Sequence, residues 1–220
     1  MFRKDVWTLI REFFSAIVDC IKGKPNFKTP ERRFLLMVII GSIPVAIAGM
    51  TLTLLNLDTV LENIFVAAAF LIVTAVLMFI VDKIGGGNYT EKDAPLKTAW
   101  IVGISQAIAI FPGLSRSGST IFGGLMGGLS KEFAVRYSFI LSIPTILGAG
   151  LVSLFSVPGS GDLTIDPLKW TIGFVVATVC GIFAIKFIKV LIKSKKFYIF
   201  GIYCLLASAF AFLIGFGVIG

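Results

Sequence analysis

The stretch Phe111-Pro-Gly-Leu-Ser-Arg-Ser-Gly-Ser-Thr120 gathers an arginine, four hydroxyls, two glycines and a proline between two apolar arms. Thr98 to Phe111 before it and Ile121 to Leu129 after it carry no charge, so Arg116 is the sole ionisable side chain from Thr98 to Leu129. An arginine at membrane depth costs about 2.5–3.5 kcal/mol on insertion scales, so it is expected to face a partner or a watery cavity. Pro112 and Gly113 stop one helix, Gly118 frees the backbone, and Ser115, Ser117, Ser119 and Thr120 open the next. A glycine-rich turn that starts a helix aims N–H groups and the positive end of the helix dipole at an anion, and a guanidinium adds a planar fork suited to phosphate. The plainer alternative is a kinked helix whose arginine pairs with a carboxylate. The flanking arms supply none.

The chain holds no histidine, which excludes histidine as base, nucleophile or metal ligand within it. No C-x-x-C pair or carboxylate cluster suggests a protein-built metal site. Cys20, Cys180 and Cys204 imply no disulfide framework, and the two in uncharged helical stretches read as small core residues. The elements that must position the loop belong to a membrane protein: 57% of the 220 residues are hydrophobic, and mean hydropathy is positive. A formal charge of +8 without a basic tail or an RNA-type motif points to membrane orientation and away from nucleic acid.

A single all-α membrane domain is expected. Residues 1–33 read as an amphipathic or cytoplasmic helix end without the features of a signal peptide, broken by Lys22-Gly-Lys-Pro-Asn26. Phe34 to Leu55 and Ile64 to Val81 are long enough to span, with Pro44 kinking the first, and they make a two-span unit over 34–81. Asp82 to Lys97 is a polar loop at the best boundary between two halves. Residues 137–219 hold three more spans, Tyr137 to Val157, Trp170 to Ile192 and Phe197 to Ile219, with an outer turn at Pro158-Gly-Ser-Gly-Asp162. Trp7, Trp100 and Trp170 suit interfacial anchoring.

Thr98 to Ser130 is read as a re-entrant hairpin. If it enters and leaves on one side, the basic residues of 1–33, 82–97, 131–136 and 186–196 (eight, three, two and five) share that side, and only Lys169 lies opposite. A crossing would move the last five outside, against the positive-inside rule. Each arm is also too short to cross alone. The internal echo Ser42-Ile-Pro44 against Ser142-Ile-Pro144 lies in spans of the same direction, so it reads as two similar kinks and not as an inverted repeat.

Gln106-Ala-Ile-Ala-Ile-Phe-Pro-Gly-Leu-Ser-Arg-Ser-Gly-Ser-Thr120 resembles the second signature hairpin of the undecaprenyl-diphosphate phosphatases, the bacitracin-resistance family. The similarity continues through Gly128-Leu-Ser130 and Arg136-Tyr-Ser-Phe-Ile-Leu-Ser-Ile-Pro144. The resemblance implies a hydrolase of the bacterial plasma membrane that returns polyprenyl diphosphate to the monophosphate used in cell-wall synthesis. It also implies an inverted-repeat fold, a homodimer and help from a divalent cation, magnesium or calcium. Carried over by position, Arg116 holds the diphosphate, Ser115 and Thr120 bond its oxygens, and Gly113 and Gly118 shape the loop. Gln106 faces the site, and Ser117 and Ser119 line it. The family's first hairpin, with its Glu-x-x-x-Glu pair and histidine, has no counterpart here, so the chain is expected to be an N-truncated member with impaired activity.

Hydrolysis of a phosphoanhydride needs charge stabilisation and an activated oxygen. The loop supplies the first. Asp58, Glu62, Asp82, Glu132, Asp162 and Asp166 fall at span ends or connectors, so no base is evident, and an unassisted Ser115 or Ser117 is a weak nucleophile. The phosphatase therefore stands beside a non-catalytic binder or translocator of polyprenyl phosphates, and beside an unrelated helical protein with a chance motif. Topology is directly testable: a single cysteine placed between Lys131 and Arg136 should label from the cytoplasm and one at Gly220 from outside. Outside labelling near Lys131 would make Thr98 to Ser130 a true span.

Overall fold

The computed structural model describes residues 3–23, 29–55, 62–156, 167–194 and 196–217. These form eight helices: α1 (Arg3–Ile21), α2 (Pro30–Leu54), α3 (Ile64–Lys83), α4 (Leu96–Ile108), α5 (Arg116–Met126), α6 (Lys131–Ser156), α7 (Pro167–Ser194) and α8 (Tyr198–Gly215). Among the described residues there is no strand, only an isolated bridge between Tyr89 and Leu129. The outer turn expected at Pro158 to Asp162 and most of the connector from Asn56 lie outside the described residues.

Five helices, α2, α3, α6, α7 and α8, are long and apolar enough to cross a membrane, which makes this a multi-pass membrane protein. The helices overrun the apolar runs into flanking charge, because intrahelical hydrogen bonding does not stop where hydrophobicity does. Local signals set several of the starts. Thr29 accepts the Arg32 N–H at 3.4 Å ahead of Pro30, Asn63 accepts from Phe65 at 2.8 Å, and Ser130 accepts from Phe133 at 3.3 Å. α8 is capped from a distance: Asp82, at the end of α3, accepts the N–H groups of Phe197 (3.0 Å) and Tyr198 (2.6 Å). That carboxylate ties together the two helices that pack most extensively, α3 and α8.

The core lies where α2, α4, α5 and α6 meet, around Phe34, Met37, Val38, Ala99, Val102, Ile121, Phe133, Tyr137 and Leu141. Tyr137 is fully buried and donates to the Met37 carbonyl at 2.6 Å, so α6 is latched to α2 inside the bundle. At the charged end, Arg32 pairs with Glu12 (3.0 Å) and Asp19 and donates to Ser15 (2.9 Å), holding α1 to α2. Arg136 bonds Asp5 through two nitrogens (3.0 and 2.7 Å), reaches Glu91 (2.7 Å) and sits over the Phe34 ring at 5.5 Å. These arginines, counted above only as orientation charges, join α1, the loop before α4 and α6.

That loop is itself ordered by Asp93, which accepts the backbone N–H and the hydroxyl of Thr90 at 2.7 and 2.8 Å. Those bonds hold the Asp93 carboxyl below its ordinary value, the backbone bond first, so its contribution is present above that value and fades as pH falls through the lowered one. The loop also closes the hairpin. Gly87 donates to Leu129, Tyr89 to Gly128 and Ser130 to Tyr89, at 2.9, 3.1 and 2.9 Å, so the entry to α4 and the exit from α5 lie side by side.

One expectation is corrected. Cys180 is exposed on α7; Cys204 alone of the helical pair is buried. The described side chains of α7 are exposed apart from part-buried positions at Gly181 and Ile185, so its apolar surface is not packed into this chain's core. Removing the Tyr137 hydroxyl tests the latch: Tyr137→Phe should lower stability by about 0.5–1.5 kcal/mol, the net worth of one hydrogen bond, seen as a reduced Tm in detergent. An unchanged Tm would remove that bond from the account.

Candidate functional site

α4 and α5 stack against each other as the arms of a tight hairpin. A Cβ at Gly123 would strike the Ser105 hydroxyl, so glycine lets the arms approach without displacing that side chain. The arms are joined by residues 109–115, and that joint is pinned to α3. Gly113 has φ of 86°, a left-handed conformation, and a side chain there would run into the Ala67 carbonyl of α3. Thr74, also of α3 and 1% exposed, donates to the Gly113 carbonyl at 2.8 Å and accepts the Ser115 N–H at 2.9 Å. Phe111 stacks on Phe70 at 4.9 Å between ring centroids, and Met78 fills the space beside Gly118.

Ser115 caps α5, with extended backbone angles and its hydroxyl accepting the Gly118 N–H at 3.2 Å. Ser119 N–H turns to the Ser115 carbonyl. The N–H groups of Arg116 and Ser117 are left without a partner among the described residues, at the positive end of the helix. The Arg116 side chain is exposed and has no ion pair or hydrogen bond among the described residues. The carboxylate-paired alternative for it therefore finds no support. A helix start with two free N–H groups, an unpaired guanidinium and a half-buried Ser117 is an arrangement for an anion with several oxygens.

The expected site residues divide at this point. Arg116, Ser115, Ser117, Gly113 and Gly118 all belong to the loop or to the first turn of α5. Thr120 does not face outward: at 1% exposure its hydroxyl bonds the Arg116 and Ser117 carbonyls at 3.0 and 3.1 Å and meets the Ser138 hydroxyl of α6. It anchors the first turn of α5 and cannot at the same time bond a ligand's oxygens. Gln106 and Ser119 are likewise buried, at 1% and 3%, and the Gln106 side-chain nitrogen and Ser119 hydroxyl have no partner among the described residues. They sit in the packing of the hairpin and do not line an open face. Thr74 escaped the sequence reading, because a lone threonine in an apolar span carries no local signal of what it meets 39 residues later.

Among the described residues, the donor set does not fit a divalent cation held by protein side chains. Among the described residues no three His, Cys, Asp or Glu side chains gather, and the loop offers hydroxyls and a guanidinium. Asp5, Glu12, Asp19, Asp82, Glu91 and Asp93 are committed to the contacts described above.

Fold and site together define a polytopic membrane protein whose short hairpin carries a helix start with an exposed arginine and two N–H groups unpartnered among the described residues. The match is specific: the family model described as bacitracin resistance protein BacA covers residues 1–210. Similar curated proteins are the undecaprenyl-diphosphatase of Methanosphaera stadtmanae, 38% identical over 92% of this chain and 74% of that protein, and that of Korarchaeum cryptofilum, 37% identical over 94% and 76%. The undecaprenyl-diphosphatase of Methanobrevibacter smithii is 36% identical over 96% of this chain and 77% of its own length. The chain belongs to the bacitracin resistance protein BacA family.

Because Arg116 is unpaired, its removal should cost binding and not folding. Arg116→Ala should weaken capture of a lipid diphosphate by about 1.5–3 kcal/mol, the worth of hydrogen bonds to a charged group. Arg116→Lys should recover part of it, since a point charge cannot replace the fork. Titration of detergent-solubilised variants checks this, and parent-like affinity in both would remove the loop as the anion site.

Proposed function

We propose that this chain binds the diphosphate head of a polyprenyl diphosphate, undecaprenyl diphosphate by analogy with its relatives, and releases the terminal phosphate. Water adds to the terminal phosphorus, the anhydride P–O bond breaks, and the polyprenyl monophosphate leaves with inorganic phosphate as the second product. The observation that carries this reading is Arg116, exposed and unpaired among the described residues, at the start of α5 beside two N–H groups that likewise have no partner there. The guanidinium and amides would oppose charge building on the transferred phosphoryl oxygens, and Ser115 and Ser117 would orient them.

The site would reach the lipid from within the membrane. α4 and α5, of 13 and 11 residues, are about 20 and 16 Å long, against about 30 Å of hydrocarbon, and the bridge at Tyr89 and Leu129 brings their outer ends together. Both features support a re-entrant hairpin within one membrane domain. The loop would then lie near mid-membrane, where broken helices serve as binding sites. The bacterial plasma membrane, carrier recycling for the cell wall and resistance to bacitracin are the setting that the family suggests. A homodimer belongs to the same proposal.

The second reading, a binder or translocator without hydrolysis, is favoured by one observation: the paired carboxylates described above are all engaged in holding the fold. General acid–base help is typically worth about 10²–10⁴-fold, so turnover by this chain is expected to be slow by a factor of that order. Phosphate release from undecaprenyl diphosphate by the purified chain, beside Arg116→Ala, is the test. Slow release that Arg116→Ala abolishes supports the phosphatase. Binding without any release supports the second reading, and release indifferent to Arg116 contradicts both.

A further inference from the structure

The hydroxyls of an apolar helix ordinarily turn back onto their own backbone. Ser42, Thr51, Thr53, Ser105, Thr171 and Thr178 each bond the carbonyl four residues earlier, at 2.7 to 3.1 Å. Thr74 departs from this habit. Its hydroxyl leaves α3, gives its proton to Gly113 and takes in the Ser115 N–H, one atom serving a carbonyl and an amide two residues apart.

We infer that Thr74 is the positioning residue of the anion loop, the group that sets the N-terminal geometry of α5 for a phosphate-bearing ligand. The inference rests on the phosphate reading of the loop. An N–H and a carbonyl facing an apolar span must find partners, and Thr74 supplies both with a single side chain. With Gly113 pressed against Ala67 and the Ser115 amide held by Thr74, Ser115 keeps the extended angles that make it the cap. The cap takes up the Gly118 amide, and the amides of Arg116 and Ser117 stay free for a ligand. Thr74 does not itself touch that ligand. Only a residue that both donates and accepts at this point can do the same, which admits serine and excludes valine and alanine.

The test uses the full chain in detergent and undecaprenyl diphosphate as the probe, reading Kd and Tm together. Thr74→Val keeps the shape of the side chain and should weaken binding by about tenfold or more, as expected when a charged ligand meets a mis-set group of donors. Thr74→Ser should bind close to the parent. Ser208→Ala is the control for a purely structural hydroxyl: Ser208 is buried and donates to the Ala68 carbonyl of the same α3 at 2.7 Å, so its loss should lower Tm and leave Kd unchanged. If Thr74→Val does not yield folded protein, Thr74→Ala is read in its place. If neither hydroxyl-free variant folds while Thr74→Ser binds and melts as the parent does, Thr74 is structural and the inference fails. Parent-like affinity in Thr74→Val, with binding lost in Arg116→Ala, overturns the inference while the phosphate reading stands. Parent-like affinity in both overturns the phosphate reading itself.

Discussion

A helix broken inside an apolar bundle exposes backbone groups that have no water to turn to, and the fold depends on how those groups are satisfied. Here the break lies between α4 and α5, and its partners come from three directions. Thr74 takes the Gly113 carbonyl and the Ser115 amide, Ser115 takes the Gly118 amide, and Thr120 with Ser138 takes the carbonyls of Arg116 and Ser117. Among the described residues, the Arg116 and Ser117 amides and the Arg116 guanidinium at the start of α5 keep no partner, and the buried Gln106 nitrogen and Ser119 hydroxyl also lack one. An unpaired polar group in such surroundings costs free energy unless a ligand or water meets it, and of these groups the Arg116 guanidinium is the one that is exposed.

The rest of the architecture serves that joint. α3 provides its floor through Ala67, Phe70, Thr74 and Met78, and α3 is in turn held by α8 along the most extensive packing among the described helices and by the Asp82 cap. α2 and α6 enclose the arms and are joined by Tyr137. The two arginine clusters fix α1 and the loop before α4, and three backbone bonds close the hairpin at its base. A displacement at any of these contacts would be transmitted to α5 through packed side chains, because close-packed interiors have little slack.

Much of this was legible from composition and spacing. The five apolar runs reappear as helices because burial in hydrocarbon and intrahelical hydrogen bonding favour the same outcome. Pro112 and Gly113 mark the break because one cannot donate an amide and the other adopts the left-handed turn. Arg116 stands out because nothing near it in sequence could pair with it. The directions of side chains were less accessible. Thr120, Gln106 and Ser119 sit in a hairpin apolar on most of its faces, so helical periodicity does not separate an inner from an outer side. Thr74 and Asp82 act on partners 39 and 115 residues away, a relation that no local pattern encodes. Cys180 was misjudged because the composition of an apolar helix does not tell whether it packs into the core.

The central claim is that Arg116 and the first amides of α5 hold a phosphate. Solid-state NMR on the chain labelled with ¹⁵N and reconstituted with undecaprenyl diphosphate would measure it through ¹⁵N–³¹P dipolar dephasing. The account requires dephasing of the Arg116 guanidinium and of the Arg116 and Ser117 amides, with Arg32 and Arg136 unaffected in their carboxylate pairs. Dephasing confined to Arg32, Arg136 or the lysines, with Arg116 silent, would contradict it.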